Sequence, residues 1–259
     1  MSQDKKYKVG VVLSGGGARG FAHLGALQAM HENDIYPEVI SGVSAGAIAG
    51  AFYAYGMSPL DAYELLKKKG VFEYSKLNLP LNGLLSINGL IEEIKENIPC
   101  KNIEDLNKPA VFAATNLNQG KINYFDKGTL CDIVGASACI PILFSPVKIG
   151  KELYVDGGLF DNLPVSPIRE ECEKLIGVNI SPVNESNDLD SMGDIAARVF
   201  QLSVSSTKVH SIPQCDIVVE PMELADYSIL NSNVAEEVYE IGYQTTIKEL
   251  KKHDLEDWQ

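Results

Sequence analysis

The amino-acid sequence predicts an α/β fold in which a largely parallel central sheet is flanked by helices. In the first half of the chain, short apolar segments typical of buried strands alternate with longer segments whose apolar residues recur at helical spacing. Glycine-rich turns separate several of these segments. This alternation is the pattern of repeated strand–helix units, whose strands run parallel in one sheet.

The predicted strands are short and apolar. The first, Tyr7 to Leu13, leads into three consecutive glycines, and the second, Glu38 to Gly42, leads into another glycine-containing turn. Further strands are predicted at Ala110 to Asn116, Ile122 to Asp126, Glu152 to Gly158, Lys174 to Ile180 and Asp216 to Pro221.

The predicted helices carry clear end signals. The helix of small residues from Ala45 ends at Gly56, a typical C-terminal cap, and the next begins at Ser58-Pro59 and runs to Lys69. Further helices are predicted after the glycines from Phe21 to Met30, and at Gly89 to Asn97, Leu130 to Cys139, Asp190 to Lys208 and Asn233 to Lys252. We see no linker and no repeat, so we expect one domain over residues 1–259.

Composition excludes several classes of protein. The chain has 259 residues, 45% of them hydrophobic, which is enough for a sizeable core. Its formal net charge is −13 and it has no basic stripe, so nucleic acid is not an expected partner. No uninterrupted apolar stretch reaches 18 residues, the N-terminus lacks a signal-peptide pattern, and the five cysteines form no metal-site spacing. We expect a cytoplasmic location and no metal or cofactor; peripheral contact with the inner membrane surface stays open, as does the oligomeric state.

The second predicted strand leads into a Gly-x-Ser-x-Gly pattern made by Gly42, Ser44 and Gly46. With a strand before it and a helix after it, this pattern is typical of a nucleophile elbow, a sharp turn that tolerates only small neighbours. The helix N-terminus and the amide of Ala45 would then favour negative charge developing beside Ser44. The alternative is a glycine-rich turn that packs a helix closely on the sheet.

The first predicted strand leads into Gly15, Gly16 and Gly17, and Gly20 completes a GxGxxG spacing. Bare backbone amides after a strand suit either a dinucleotide phosphate or the oxyanion of an ester under attack. A dinucleotide site requires an acidic residue near the end of the second strand, where this chain has the serine turn. A Walker loop requires Gly-Lys-Ser/Thr, which is absent. We therefore interpret the glycines as an oxyanion loop.

A serine nucleophile also requires a base. Asp156 stands at the end of a predicted apolar strand and is followed by two glycines. On its own this is an ordinary Asp-Gly turn. Its position at a third strand end, where sites gather in α/β sheets, makes it the candidate base for Ser44.

Histidine is the more usual base, and the chain has four. His23 and His31 precede the candidate serine, and His253 lies in the polar C-terminal tail. Only His210 follows both the serine and the aspartate, as a hydrolase triad in that chain order requires. We favour a direct Ser–Asp dyad and keep a triad with His210 as an alternative.

These motifs resemble the three signatures of the patatin-like phospholipases: Gly15 to Gly20, Gly42 to Gly46 and Asp156 to Gly158. The flanking FAHLGAL, GASACIPILFSPV and DGGLFDNLPV resemble the bacterial branch of that family, and the resemblance covers residues 7–180, which we expect to form the core, with C-terminal helices to residue 252. The third motif is Asp-Gly-Gly where many members have Asp-Gly-Ala. Arg19 occupies the basic position of the glycine loop, and its sequence context assigns it no role.

The resemblance implies a patatin-like three-layer sandwich and hydrolysis of a lipid or lysolipid ester without a metal. It implies that Ser44 is the nucleophile, that Asp156 is the general base, and that Gly15, Gly16 and Gly17 hold the oxyanion. A thioester substrate and a non-catalytic nucleotide-binding module stay as alternatives. The apolar segment from Leu77 to Gly89 is either a lid or a connecting loop packed by its leucines.

Overall fold

The computed structural model describes residues 5–69, 87–185, 190–229 and 234–258. These residues form an eight-stranded mixed sheet. The strands are Tyr7–Leu13 (β1), Val39–Val43 (β2), Ala110–Asn116 (β3), Lys121–Phe125 (β4), Val147–Ile149 (β5), Glu152–Asp156 (β6), Cys172–Val178 (β7) and Ile217–Val219 (β8). The helices are Phe21–His31 (α1), Ala45–Tyr55 (α2), Pro59–Lys69 (α3), Asn88–Asn97 (α4), Leu130–Ser137 (α5), Met192–Thr207 (α6) and Ala235–Leu250 (α7).

The sheet has a parallel half and an antiparallel half. Strands β3, β2, β1, β7 and β8 pair in that order and run parallel. Strands β4 and β6 pair antiparallel with β3, and β5 pairs antiparallel with β6. The predicted α/β fold class is confirmed, and its parallel part carries the first two strand ends of interest.

Two strands meet end to end on β3. Strand β4 occupies one edge of β3 from Phe112 to Asn116, so β2 and β6 must share the other edge. Strand β2 pairs there with Ala110 to Ala113, and β6 with Ala114 to Asn116. Because β2 is parallel and β6 antiparallel to β3, their carboxyl ends face each other.

The two faces of the sheet are covered differently. On one face, the odd-numbered apolar residues of β1 pack with α1, α2 and the other helices of the main core. Helices α1 and α7 approach closely, since a Cβ at Gly25 or Gly242 would overlap the backbone of the facing helix. On the opposite face, Val12 packs against an irregular segment that contains Leu163, Val165 and Ile168.

Most predicted helix and strand boundaries agree with the structure to within two residues. Gly56 has a φ of 104° at the end of α2, as its predicted capping role requires. Helix α5 ends at Ser137, before the predicted Cys139. Residues 77–86 of the proposed lid lie outside the described residues, and Asn88 already begins α4. Among the described helices, none combines the length and the apolar character needed to cross a bilayer.

Candidate active site

Ser44 lies in a strained turn between β2 and α2. Its φ of 55° and ψ of −124° belong to a region that non-glycine residues seldom occupy. A Cβ at Gly46 would overlap the carbonyl oxygen of Leu13, and one at Gly42 would lie 2.6 Å from the carbonyl oxygen of Gly46. The two glycines of the Gly-x-Ser-x-Gly pattern are therefore required by close backbone approach, as the sequence indicated.

A side chain of α5, Ser137, holds the backbone of this turn by a hydrogen bond. The N–H of Ser44 donates to Ser137 Oγ at 2.9 Å, and the Ser137 hydroxyl donates to the carbonyl of Ala113 at 2.7 Å. Ser137 thus connects the end of β2 to β3. Ala45 is the first residue of α2, so its N–H has no acceptor within the helix and is available to a developing anion.

Asp156 is fully buried at the end of β6 and is incompletely hydrogen-bonded. Its Oδ1 accepts the N–H of Gly158 at 2.8 Å, whereas Oδ2 has no hydrogen-bond partner among the described residues. Burial raises the pKa of Asp156 to about 7, and the nearby Ser44 hydroxyl and the Gly158 N–H offset part of that rise. A carboxyl group with this pKa exchanges protons near neutral pH, as a general base must.

The glycine loop lies directly against the candidate nucleophile. A Cβ on Gly15 would come within 3.1 Å of the Ser44 Cβ. At Gly17, which has a φ of 58°, a Cβ would overlap the carbonyl of Ile229. Because side chains have no room here, the loop presents bare amides beside the serine.

His23 and Arg19 hold the backbone of the glycine loop by hydrogen bonds. His23 is buried, and its Nε2 lies 2.7 Å from the carbonyl oxygen of Ser14. Burial lowers the pKa of His23 to about 4, so the neutral ring donates from Nε2. The N–H of Arg19 donates to the carbonyl of Gly16 at 3.2 Å. His23 is therefore uncharged near neutral pH.

The guanidinium of Arg19 is committed to the backbone. It donates to the carbonyls of Tyr227 at 2.8 Å, Pro182 at 3.0 Å and Ala225 at 3.3 Å. Burial lowers its pKa to about 10. These bonds fasten the chain around residues 182 and 225–227 to the glycine loop, which is the role that the sequence left unassigned.

One pocket contains all the predicted site residues except Ala45, which is the first residue of α2. It is lined by Ser44, Asp156 and the three glycines of the loop, together with apolar side chains that include Ile140, Phe200 and Val204. The remaining candidate histidine, His210, is exposed on a 3₁₀ turn and does not line this pocket.

The fold and the site define a class of α/β protein in which a serine elbow, a glycine loop and a carboxylate share one pocket. Residues 11–168 match the family model described as patatin-like phospholipase, so the chain belongs to the patatin-like phospholipase family. The resemblance noted in the sequence is thereby confirmed.

The chain is also similar to individual mycobacterial and fungal proteins. The chain is 29% identical over 203 residues to an uncharacterized NTE family protein of Mycobacterium tuberculosis, covering 77% of this chain and 56% of that protein. It is 27% identical over 281 residues to the lysophospholipase NTE1 of Cryptococcus neoformans, covering 95% of this chain and 17% of that protein. The chain spans about half the length of the mycobacterial relative and less of the fungal one.

A solved structure supports the fold independently. The crystal structure of VipD from Legionella pneumophila matches 96% of this chain and 67% of its own with a TM-score of 0.55. The sequence identity is 17%, so this likeness concerns the arrangement of the backbone.

Sequence reasoning missed several polar residues around the pocket. Ser14, Ser137, Asn162 and Ser181 are all buried, and each makes a hydrogen bond to the site's backbone or to another of these side chains. Ser14 and Ser181 follow β1 and β7, which are neighbours in the sheet. Polar residues just after adjacent parallel strands are the signal that would have drawn attention to them.

Proposed function

We propose that this protein is a lipid acyl hydrolase of the phospholipase A or lysophospholipase type, which cleaves a carboxylic ester through an acyl-enzyme. The observation that carries the proposal is the contact of two strand ends in one pocket. The strained Ser44 and the buried, half-bonded Asp156 come from β2 and β6, which meet head to head on β3. Family membership supports a lipid ester as the substrate.

In the first half of the reaction, Asp156 takes the proton of the Ser44 hydroxyl as the oxygen attacks the ester carbonyl. The amides of Gly15, Gly16, Gly17 and Ala45 are the candidate donors to the resulting oxyanion, each worth about 3 kcal/mol if well aligned. The tetrahedral intermediate collapses, the carbon–oxygen bond to the alcohol breaks, and protonated Asp156 returns its proton to the leaving alkoxide.

In the second half, water replaces the alcohol. The water oxygen attacks the acyl carbon while Asp156 takes a proton from the water. The same amides hold the second oxyanion. The bond from the acyl carbon to Ser44 Oγ breaks, Ser44 regains a proton from Asp156, and the fatty acid leaves. A base with a pKa near 7 suits both directions of this proton transfer.

The first experiment measures hydrolysis of p-nitrophenyl esters of increasing chain length by the full chain and by Ser44→Ala. We expect turnover in the wild-type protein and at least about a thousandfold loss in the variant, because the nucleophile is removed. Retention of activity by a folded Ser44→Ala protein would remove the serine from the mechanism.

The second experiment identifies the substrate class. Lysophospholipids, intact phospholipids in vesicles and acyl thioesters are offered at equal concentration, and the released fatty acid is quantified. We expect the oxygen esters of lipids to be preferred. A preference for the thioester would instead identify an acyl thioesterase on the same site.

A non-catalytic nucleotide-binding module is the remaining alternative. The end of β2, where a ribose-binding carboxylate would stand, carries the serine elbow instead. Thermal shift measurements with NAD and ATP test this alternative directly, since a ligand at 100 times its Kd stabilises a protein by about 2.7 kcal/mol. We expect no shift with either nucleotide.

A further inference from the structure

The carbonyl oxygen of Gly15 accepts two serine hydroxyls. Ser14 Oγ donates to it at 3.1 Å, and Ser181 Oγ also donates to it. Ser14 Oγ is fixed in turn by the N–H of Ile180, which donates to it at 2.9 Å. A buried carbonyl has two acceptor sites, so this one is fully used.

These bonds act on a candidate oxyanion donor through the planarity of the peptide group. The C=O of Gly15 and the N–H of Gly16 belong to one trans peptide and point in opposite directions. Holding the carbonyl against two hydroxyls therefore fixes the direction of the Gly16 N–H. Hydrogen bonds to a carbonyl also polarise its amide, which strengthens the N–H as a donor.

Asn162 holds Ser181 in place. Its Nδ2 donates to Ser181 Oγ at 3.1 Å, while its backbone N–H donates to Thr207 Oγ1 at 2.9 Å. A Cβ at Gly15 would lie 2.5 Å from Asn162 Oδ1, and one at Gly158 would lie 2.7 Å from it. Asn162 thus lies between the glycine loop and the turn that follows Asp156, in contact with both sides of the pocket.

We propose that Ser181, supported by Asn162, is a positioning residue that sets the direction and the donor strength of the Gly16 N–H in the oxyanion hole. The inference rests on the proposed function, because it assumes that the glycine loop holds the oxyanion formed during acyl transfer. A purely structural hydroxyl at this position would affect stability and leave the reaction rate of the folded protein unchanged.

The test compares Ser181→Ala with Ser41→Ala. Ser41 is a matched control, because its buried hydroxyl also donates to a backbone carbonyl, that of Pro164 at 2.6 Å, and makes no bond to the glycine loop. With a p-nitrophenyl ester, we expect kcat to fall about 10- to 100-fold in Ser181→Ala, less than the 10²- to 10³-fold typical of losing a donor itself. We expect KM to change less than about threefold, and Ser41→Ala to retain the wild-type kcat.

A transition-state analogue provides a readout that a structural role would not move. A trifluoromethyl ketone forms a tetrahedral adduct with the serine, whose oxyanion occupies the hole. We expect its Ki to rise in Ser181→Ala by the same factor as kcat falls. An unchanged Ki and kcat in the folded variant would overturn the positioning role.

The Asn162→Ala variant and the double variant test the relay and also serve if Ser181→Ala does not fold. We expect Asn162→Ala to lower kcat about 3- to 10-fold, because the Ser181 hydroxyl remains but loses its support. We expect the double variant to match Ser181→Ala, since both changes act through one peptide group. Effects on kcat that multiply, or an Asn162→Ala protein with wild-type kcat, would overturn the relay.

The Ser44→Ala protein separates this inference from the proposed function. If Ser44→Ala keeps the wild-type rate, or if the wild-type protein does not turn over any ester, the proposed function fails and the positioning role fails with it. If activity depends on Ser44 but Ser181→Ala is as fast as Ser41→Ala, only the positioning role fails.

Discussion

The two sides of the pocket are bonded in opposite ways. On the glycine-loop side, the carbonyls of Ser14, Gly15 and Gly16 each accept at least one hydrogen bond from a donor held by the fold. On the acid side, Asp156 Oδ1 accepts the N–H of Gly158, but Oδ2 has no partner in the part of the chain that the structure describes. Each of these loop carbonyls is held by at least one hydrogen bond, whereas the carboxylate oxygen proposed to take a proton has none among the described residues.

This difference has an energetic consequence. A buried polar atom without a partner costs about 1–3 kcal/mol, and more when it is charged. Here that cost takes the form of the raised pKa of Asp156, which makes the carboxylate a stronger base. Strain at Ser44 adds a second unfavourable feature within the same pocket. The site thus gives up stability where the proposed reaction requires reactive groups.

The largest expected effect comes from removing the base. Asp156→Asn should lower kcat/KM by about 10³- to 10⁴-fold, because the amide cannot accept the serine proton. Asp161→Asn is the matched control: Asp161 is partly buried, and its two oxygens accept the Leu163 N–H at 3.2 Å and the Tyr124 hydroxyl at 2.7 Å. Steady-state ester kinetics should show less than about a threefold change in that control; equal losses in both variants would contradict the assignment.

The next largest effect tests the glycine-loop side of the pocket. Gly17→Ala should lower kcat about 10²- to 10³-fold, because its Cβ would overlap the carbonyl of Ile229 and displace a candidate donor. Gly150→Ala is the control, since Gly150 has a similar φ of 64° and no atom within 4 Å of its added Cβ. It carries the same backbone strain without the overlap, and its kcat should stay within about twofold of the wild-type value.

The pH dependence of the reaction tests the role of Asp156. Only ionised Asp156 accepts a proton, so kcat/KM should rise about tenfold per pH unit below an apparent pKa of about 7 and level off above it. His23 cannot produce this limb, because burial lowers its pKa to about 4. A flat profile of kcat/KM between pH 5 and pH 8 would show that Asp156 is not the general base.

Stability should depend on pH through the same carboxyl group. In the native protein Asp156 keeps its proton up to about pH 7, whereas the carboxyl of the unfolded chain releases it near pH 4. Between these values the native state binds more protons, so stability falls as pH rises. Asp156→Asn does not titrate, so its stability relative to wild type should increase from pH 4 to pH 7, by on the order of 2–4 kcal/mol. Urea unfolding at pH 4 and pH 7 measures this difference.

The smallest expected effect concerns the alternative triad. His210 is exposed and does not line the pocket, so His210→Ala should change kcat/KM by less than about twofold. A loss of a hundredfold or more in the ester assay would reinstate the histidine as a member of a triad and weaken the case for a dyad.

Local patterns in the sequence were sufficient to find the groups that are proposed to react. The glycines around Ser44 are required by close backbone approach, and a steric requirement of this kind is visible in neighbouring residues of the sequence. The boundaries of α2 followed from Gly56 for the same reason. The strand end at Asp156 was also apparent, because an apolar run stops there at two glycines.

The non-local features could not be obtained in this way. The head-to-head meeting of β2 and β6 depends on which edge of β3 each strand occupies, and the sequence contains no signal for that choice. Strand β5 was not predicted: its three residues include the charged Lys148 and form no apolar run, unlike those of the equally short β8. The bond from Ser181 to Gly15 joins residues 166 positions apart, so only the folded chain reveals it.

The central claim is that Ser44 is activated by Asp156, and labelling with an organophosphonate probe tests it most directly. Wild-type protein and Asp156→Asn are reacted with a p-nitrophenyl phosphonate, the labelling rates are compared, and the modified peptide is mapped by mass spectrometry. The proposal predicts phosphonylation of Ser44 alone, with a rate about 10³-fold lower in Asp156→Asn. A label on another residue, or equal labelling rates in the two folded proteins, would contradict it.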